Sequence, residues 1–296
     1  MNDNLILAKR TKNDEFYTQL SDIEKELEHY PDDTFKDKVV YCPCDVGVDG
    51  LDVPKSNFVK YFEDNKERLG YKRLLHTSLQ EGYDFHSDYC TNLLKEADIV
   101  VTNPPFSLFR DFFKWLMDND KKFIIVGNQN AISYKEIFPY LRDNKIWTGS
   151  QTGCISMYYA STDTDELTKL RNTCWFTNID LAKRHEPLIL VEKYSPEKYP
   201  KYDNYDAIEI PKLNEIPCDY NGVMGVPITY LYKHNPDQFE IIGGFNGYTE
   251  PDYENGLLCG TRTEYVDKSG KVKYWTGPTV NKVTKYFRLL IKRRSS

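Results

Sequence analysis

A short segment in the first half of the chain places the strongest constraint on its fold. Residues 98–106 run Asp-Ile-Val-Val-Thr-Asn-Pro-Pro-Phe, an apolar stretch that ends at two consecutive prolines. Proline lacks the backbone N–H that a sheet ladder or a helix interior needs, so the chain must leave the strand as a stiff loop. In an open α/β sheet, ligands bind at the carboxyl ends of the strands. The segment therefore predicts a strand followed directly by a ligand-binding loop.

The side chains of this loop suit the amino group of a planar base. The Asn103 carboxamide oxygen and the Pro104 carbonyl oxygen can each accept one hydrogen from an exocyclic NH₂ group. The Phe106 ring can stack on the face of a heterocycle, although it could also do no more than cap the core. We therefore predict a catalytic loop of four residues: Asn103, Pro104, Pro105 and Phe106.

Composition limits the classes of protein to which the chain can belong. Its 296 residues suffice for one large α/β domain with an insertion or for two smaller domains. No apolar run is long enough to span a bilayer, and the N-terminal residues lack the apolar stretch of a signal peptide. We expect a cytoplasmic protein with no membrane partner. The pair Cys42 and Cys44 has no second Cys or His pair at zinc spacing, so we also predict no metal.

Charge is distributed unevenly along the chain. The formal net charge of −6 disfavours indiscriminate binding of nucleic acid. Residues 281–296 nevertheless contain six basic side chains and no acidic one, which suits either phosphate contacts or a solubilising tail. The predicted nucleic-acid-binding residues are Asn130, Lys285, Arg288, Lys292 and Arg293. Weaker candidates for contacting bases are Arg142, Asn246 and Arg262, which could equally be ordinary polar surface residues.

The order of the predicted elements indicates an α/β fold. Strands over 38–44, 99–102 and 123–127 alternate with helices over 21–29, 57–69 and 108–117, as in a parallel sheet with right-handed crossovers. Ser21, with Glu24, and Ser56 are the predicted N-caps of the first two helices. Strands over 154–160, 174–179 and 188–192 could form an antiparallel end, and 285–294 a final strand. We assign 1–194 to a core and 195–296 to a loop- and β-rich region.

Three further features suit a donor molecule beside the base-binding loop. Phe16, Tyr17 and Thr18 place two aromatic rings and a hydroxyl group just before the first helix. Asp45 follows the first strand, and Asp88 follows a weak strand ahead of the proline loop. These residue types match the adenine, ribose and charged methionine of S-adenosylmethionine. Each is weak alone, because adjacent aromatics are usually core and an aspartate after a strand is usually a cap.

Taken in order, the motifs resemble those of the EcoRI-type adenine-specific DNA methyltransferases. The shared segments are Glu15-Phe16-Tyr17-Thr18, Cys42-Pro43-Cys44-Asp45, Ser56-Asn57-Phe58, Asn103-Pro104-Pro105-Phe106, the stretch 127–137, Trp175-Phe176-Thr177-Asn178 and Gly225-Val226-Pro227-Ile228-Thr229. The resemblance implies a class I S-adenosylmethionine-dependent methyltransferase, Rossmann-like, with a mostly parallel sheet, an antiparallel end and a β- and loop-rich target-recognition portion. It further implies transfer of a methyl group to N6 of a flipped-out adenine in double-stranded DNA.

The chain departs from generic class I enzymes after its first strand. Those enzymes have a Gly-x-Gly turn that lets the backbone approach the donor, whereas this chain has a longer loop and then a helix start at Ser56. Backbone amides of that helix N-terminus could hold donor atoms instead. The predicted donor-binding residues are Phe16, Tyr17, Thr18, Asp45, Ser56, Asn57, Phe58 and Asp88. No residue is assigned to the ribose.

Other functions share the same loop and stay open at this point. A protein-glutamine methyltransferase and an RNA-adenine methyltransferase also act on a planar NH₂ group. The altered turn after the first strand would suit a catalytically degenerate, nucleic-acid-binding subunit. A restriction endonuclease would be a separate chain, or absent as for a solitary methyltransferase, and monomeric and dimeric states both fit the sequence.

Overall fold

The computed structural model describes residues 16–44, 56–77, 85–151, 155–159, 168–170, 172–248, 250–267 and 269–294. The chain divides into two compact units. Unit 1 comprises the described residues of Met1–Ala131 and Ile146–Ala182, and unit 2 those of Ile132–Lys145 and Lys183–Ser296. The predicted assignment of 1–194 to catalysis and of 195–296 to target recognition concerns function and stays a prediction.

Within the described part of the chain, no helix is both long and apolar enough to cross a membrane.

Unit 1 contains helices and strands in alternation. Its helices are α1 (Leu20–Leu27), α2 (Asn57–Asp64), α3 (Lys66–Leu69), α4 (Asp88–Glu96) and α5 (Phe109–Asp118). Its strands are β1 (Phe16–Thr18), β2 (Val39–Cys42), β3 (Arg73–His76), β4 (Ile99–Thr102), β5 (Lys122–Asn128), β6 (Trp147–Thr148), β7 (Ile155–Tyr159), β8 (Thr168–Leu170) and β9 (Thr173–Thr177).

Six of these strands form the main sheet, in the order β3-β2-β4-β5-β9-β6. Strands β3, β2, β4 and β5 run parallel, whereas β9 runs antiparallel to both β5 and β6. The predicted mostly parallel sheet with an antiparallel end is therefore present, but the strand predicted over 154–160 is not part of that end, because Ile155–Tyr159 pairs in another sheet. All four residues of β4 are buried, which explains why this strand is apolar without alternation: helices cover parallel sheets on both faces. A separate antiparallel sheet joins β1, β7 and β8.

Aromatic side chains of α2 fill much of the core of unit 1. Phe62 is fully buried, and its ring contacts Phe35 and Tyr71 edge to face at centroid distances of 5.1 and 5.9 Å. Burying one such ring contributes ~1.5–3 kcal/mol from its apolar area alone. The helical spacing of these aromatics therefore marked the buried face of α2 correctly.

Three sequence-based predictions need correction. The first helix begins at Leu20 with Gln19 as its N-cap, and no side chain caps it, so Ser21 lies in the first turn instead. The helix predicted over 57–69 is two helices, because Asn65 leaves helical geometry between α2 and α3. Residues 188–192 form no strand: Ile189 and Val191 are 89% and 75% exposed, so no sheet partner covers them.

Unit 2 is rich in strands and irregular segments. Its helix is α6 (Phe138–Arg142). Its strands are β10 (Ile208–Glu209), β11 (Met224–Pro227), β12 (Phe239–Phe245), β13 (Leu257–Leu258), β14 (Thr263–Val266), β15 (Val272–Trp275), β16 (Thr279–Val280), β17 (Val283–Thr284) and β18 (Arg288–Arg293). Five of them form a sheet in the order β10-β11-β18-β12-β13, and β14-β15 and β16-β17 are hairpins.

The basic C-terminal segment has a structural role in this sheet. Strand β18 lies in the middle, antiparallel to β11 on one side and to β12 on the other. Its residues Leu289, Leu290 and Ile291 are fully buried. The predicted final strand is confirmed, and the alternative of a solubilising tail is wrong for Arg288–Arg293.

Candidate active site

The loops at the carboxyl ends of the parallel strands in unit 1 are tied to one another. Thr102, the last residue of β4, donates its hydroxyl hydrogen to the carbonyl oxygen of Pro43, which follows β2. The Tyr41 hydroxyl lies 2.8 Å from Oγ1 of Thr77, the residue that follows β3. Burial raises the pKa of Tyr41, so its hydroxyl stays protonated and neutral at this edge. Hydrogen bonds thus fix three neighbouring strand ends relative to one another.

The predicted catalytic loop begins directly after Thr102. Pro104 and Pro105 are buried, Asn103 is half-buried, and the Asn103 Oδ1 atom itself is buried. Phe106 is partly exposed and packs against the core of unit 1. It begins a single 3₁₀ turn, in which Leu108 N–H donates to the Pro105 carbonyl oxygen at 3.0 Å. The loop is therefore held from both ends, by strand β4 and by this turn.

Gly127, which the sequence analysis did not select, makes room for the aromatic side chain that follows this 3₁₀ turn. The Phe109 ring, at the start of α5, lies on Gly127 of β5 and 5.3 Å from the Phe176 ring. A Cβ atom on Gly127 would come within 2.4 Å of Phe109 Cε2. A lone glycine inside an apolar strand is a known sign of close backbone approach, so the sequence did carry a signal.

We expect Gly127→Ala to slow turnover by ~10- to 100-fold without direct contact to any reactant, because a displaced Phe109 moves the turn that holds Asn103. Overpacking should also cost ~1–3 kcal/mol of stability. Steady-state methylation assays with a thermal melt test this, and Gly127→Ala/Phe109→Leu is the matched rescue. Wild-type turnover in the single variant, or equally slow turnover in a well-folded double variant, would contradict this role for Gly127.

Residues predicted to bind the donor converge from two distant segments. Ser56 is the N-cap of α2, as predicted, and its Oγ accepts from Val59 N–H at 3.3 Å. The next side chain, Asn57, donates from Nδ2 to the Thr18 carbonyl oxygen at 2.8 Å. The end of β1 is thereby joined to the N-terminus of α2, whose partial positive charge favours anionic ligand groups.

Two buried polar atoms at this junction fit a polar ligand. Thr18 is 2% exposed, and its Oγ1 has no hydrogen-bond partner among the described residues. The Nε2 atom of the adjacent Gln19 is also buried and also has no hydrogen-bond partner among the described residues. Sequence reasoning did not select Gln19. Leaving a buried polar group unsatisfied costs ~1–3 kcal/mol, which makes both atoms candidates for contact with a polar ligand.

The structure gives less support to the other predicted donor-binding residues than to Ser56, Asn57 and Thr18. Phe58 is 2% exposed and its ring lies 6.0 Å from that of Trp175, so only its backbone could reach a ligand. Phe16 and Tyr17 pair with β7 through their backbones. Asp88 is exposed at the first position of α4, behind the N-cap Ser87. Asp45 lies outside the described residues.

The predicted nucleic-acid-binding residues differ in their availability. Asn130 follows β5 in unit 1 and is exposed, with its N–H bonded to Asn128 Oδ1 at 2.9 Å. In unit 2, Lys292 is exposed and Lys285 half-buried. Arg288 is not available: its side chain is 12% exposed and pairs with Glu209 at 2.7 Å. Arg293 is partly engaged as well, since Nη1 donates to the Cys218 carbonyl oxygen.

Two further features bear on the sequence-based expectations. The weaker base-contact candidate Arg142 is held by the Glu254 carbonyl oxygen at 3.0 Å and by Asp143 at 2.7 Å.

Cys42 is a core residue of β2. Among the described residues, no three His, Cys, Asp or Glu side chains cluster as metal ligands would, and the absence of a metal stays a prediction.

Comparison with known proteins gives the class and then the family. A family profile described as "Adenine-specific methyltransferase EcoRI" matches residues 4–83 and 76–294. The chain is 41% identical to Type II methyltransferase M.EcoRI of Escherichia coli, over 85% of this chain and 92% of the relative. It is 36% identical to Type II methyltransferase M.MpnI of Mycoplasma pneumoniae, over 79% and 83%. It is 34% identical to Type II methyltransferase M.MgeORF184P of Mycoplasma genitalium, over 79% and 84%.

The fold, the loop and these similarities define an adenine-specific DNA methyltransferase. Within that class, the chain belongs to the EcoRI methyltransferase family. No solved structure matches it significantly. The resemblance inferred from the sequence motifs is therefore confirmed.

Proposed function

We propose that the protein transfers a methyl group from S-adenosylmethionine to the N6 amino group of an adenine in double-stranded DNA. The observation that carries the proposal is the Asn103-Pro104-Pro105-Phe106 loop, which leaves β4 at the carboxyl edge of the parallel sheet. That edge is where α/β sheets bind ligands. The same arrangement supports placing the fold in class I of the S-adenosylmethionine-dependent methyltransferases.

The loop would act by orienting the amino group and stabilising its charge. The N6 lone pair of adenine is delocalised into the ring, which makes the nitrogen a poor nucleophile. Accepting both N6 hydrogens, at Asn103 Oδ1 and at the Pro104 carbonyl oxygen, directs that lone pair toward the methyl group. The same two oxygens stabilise the positive charge that develops on nitrogen, so no strong general base is needed.

The donor site would lie at the junction of β1 and α2. When bound, S-adenosylmethionine supplies an electrophilic methyl group on its sulfonium sulfur. Thr18 Oγ1 and Gln19 Nε2 offer the buried polar atoms for its hydroxyl and carboxylate groups. Ser56 and Asn57 hold the N-terminus of α2 in place for the anionic end. Contacts from Phe16, Tyr17, Phe58, Asp45 and Asp88 remain part of this proposal.

The target base must leave the double helix to reach the loop. An adenine stacked in a duplex cannot approach Asn103, so we propose that the nucleotide flips out and that Phe106 replaces part of its lost stacking. Unit 2 would recognise the surrounding sequence. The relatives are named Type II methyltransferases, which supports a role in restriction–modification, with any endonuclease as a separate chain.

Transfer of tritium from labelled S-adenosylmethionine tests the proposal directly. Purified protein is incubated with genomic DNA that lacks N6-methyladenine, with total RNA and with a protein lysate, and the products are digested and separated by chromatography. We expect label in N6-methyl-2′-deoxyadenosine from the DNA sample and none in the RNA or protein samples. The Asn103→Ala variant, argued below, controls for a contaminating methyltransferase.

The alternative outcomes identify the rival functions. Label in RNA or in protein alone would contradict DNA as the substrate while keeping the methyltransferase activity. Absence of label, combined with failure to bind the donor in calorimetry, would favour a nucleic-acid-binding protein that has lost catalysis.

A further inference from the structure

The β14–β15 hairpin in unit 2 stands apart from the five-stranded sheet. Among the described residues, its strands pair with each other and with no further strand, with Glu264 opposite Tyr274 and Thr263 opposite Trp275. Directly opposite residues of an antiparallel pair lie on the same face. The hairpin therefore has two different faces, one carrying Trp275 and the other carrying Tyr274.

The face that carries Trp275 anchors the hairpin to the rest of unit 2. The indole ring lies against Gly247, where a Cβ atom would come within 2.1 Å of Trp275 Cη2. Beside it, the Thr276 hydroxyl donates to the Tyr248 carbonyl oxygen at 2.7 Å, and Gly260 N–H donates to the Thr276 carbonyl oxygen at 2.6 Å. The base of the hairpin is thus fixed by packing and by hydrogen bonds.

The turn at the other end is also well defined. Asp267 Oδ1 accepts hydrogen bonds from the Ser269 N–H at 2.8 Å and from the Lys271 N–H at 3.0 Å. Its Oδ2 pairs with Lys273 Nζ at 2.8 Å. The charge of Asp267 is therefore balanced by described residues on the β15 side of the turn.

The opposite face is exposed and chemically varied. We call it the recognition face: Arg262, Glu264, Val272 and Tyr274. Val272 and Tyr274 are 59% and 53% exposed, which is high for large apolar side chains. The Arg262 guanidinium lies 4.5 Å from the centroid of the Tyr274 ring, and the Tyr274 hydroxyl donates to Glu264 Oε1 at 3.1 Å. These contacts orient Arg262 and Glu264 on the exposed face, next to Tyr274.

Shape and charge both favour duplex DNA as the partner of this face. The major groove admits a two-stranded β-ribbon. Residues 262–275 contain four basic side chains and two acidic ones, on a chain whose formal net charge is −6. The recognition face also offers the groups that distinguish base edges: a guanidinium for guanine, a carboxylate for the amino group of cytosine, and methyl groups for thymine.

We propose that the β14–β15 hairpin enters the major groove of the target DNA and that Arg262 contacts a base edge there, steadied by Tyr274. This inference rests on the proposed DNA methylation and adds the element that selects the site. Arg262 thereby becomes a specificity-determining residue. Lys271, near the tip, contacts the phosphate backbone.

The methylated sequence itself provides the test. Wild-type protein, Arg262→Ala, Arg262→Lys and Tyr274→Ala are each incubated with genomic DNA that lacks N6-methyladenine. Modified adenines are then mapped by single-molecule sequencing, which gives the preferred sequence and the rate at each site. Lys212→Ala and Tyr253→Ala are matched controls, since both side chains are exposed in the same unit. Thermal melts verify folding.

We expect discrimination at one position of the recognition sequence to fall by ~10- to 100-fold in both Arg262 variants and in Tyr274→Ala, with the controls unchanged. Arg262→Lys is decisive, because lysine keeps the charge for a phosphate but loses the bidentate geometry for a base. A preferred sequence that stays unchanged in Arg262→Lys overturns base contact by this residue.

Two other outcomes are also distinguishable. A variant with an altered molecular mass in light scattering and an unchanged preferred sequence would make the face a contact between copies of the chain, and would overturn the proposal. Wild-type protein that methylates no adenine would overturn the proposed function and this inference with it. Active wild-type protein with unchanged sequence preference in every variant overturns this inference alone.

Discussion

Replacing Asn103 by alanine is expected to lower the rate of methyl transfer by ~100- to 1000-fold, the usual effect of removing one group that stabilises transition-state charge. The affinity for S-adenosylmethionine should not change, because the donor site that we propose involves Thr18 and Asn57 on other elements. Only one of the two acceptors for the N6 hydrogens is lost, since the Pro104 carbonyl oxygen is retained. Some residual activity is therefore expected.

Single-turnover methylation and calorimetry with the donor separate the two quantities. Asn92→Ala is the matched control, because this asparagine is exposed on α4 in the same unit. Equal losses of rate and of donor affinity would assign Asn103 to the donor site. A large drop in melting temperature would instead make the side chain structural, since its Oδ1 atom is buried.

Removing Glu209 should have the largest effect on stability, a loss of ~3–5 kcal/mol, because it leaves the Arg288 guanidinium buried without its partner. The two side chains are only 6% and 12% exposed, and Arg288 donates through both Nε and Nη2, at 3.1–3.2 and 2.7 Å. The Tyr202 hydroxyl also donates to Glu209. Burial raises the pKa of Tyr202, which keeps that hydrogen in place.

The same unit offers a matched exposed ion pair. Lys201 and Asp206 lie 2.8 Å apart with side chains 60% and 88% exposed, so Asp206→Ala should destabilise unit 2 far less than Glu209→Ala does. Glu209→Ala and Asp206→Ala are compared by urea unfolding and by hydrogen exchange of peptides from β10, β11 and β18. Similar losses in the two variants would show that the buried pair adds nothing beyond a surface contact.

A double replacement distinguishes the pair from its surroundings. Glu209→Met with Arg288→Met removes both charges and keeps most of the volume, so much of the stability should return. Arg288 was among the residues predicted to contact nucleic acid. Because Arg288 pairs with Glu209, we expect Arg288→Ala to destabilise unit 2. If this variant binds DNA more weakly, the loss of structure would be the cause.

Local sequence patterns predicted the parts of the fold that depend on neighbouring residues. The apolar run before Asn103 is strand β4, the aromatic spacing after Ser56 is helix α2, and Ser56 is its N-cap. Each of these depends on backbone chemistry within a few residues. The ordered set of motifs also sufficed to identify the family.

Features that depend on distant partners could not be predicted. Arg288 and Glu209 are 79 positions apart, and nothing in the composition of either segment marks them as a pair. Residues 188–192 have the composition of a strand, yet only Glu192 pairs, in an isolated bridge to Pro217, and the first helix begins without the cap expected from Ser21. Gly127 inside an apolar strand does signal a close approach, but nothing in the sequence names Phe109 as the side chain that lies on it.

The central position of β18 in its sheet has a consequence for how unit 2 folds. Strands β11 and β12 do not pair with each other. Each pairs with β18, which is synthesised after both of them. Such long-range pairing slows folding, because the cost of closing long loops precedes the stabilising contacts. Until Arg288–Arg293 has inserted, two partial sheets present unpaired edges, which are the usual starting points of aggregation. Chaperone dependence during expression is therefore expected to reside in unit 2.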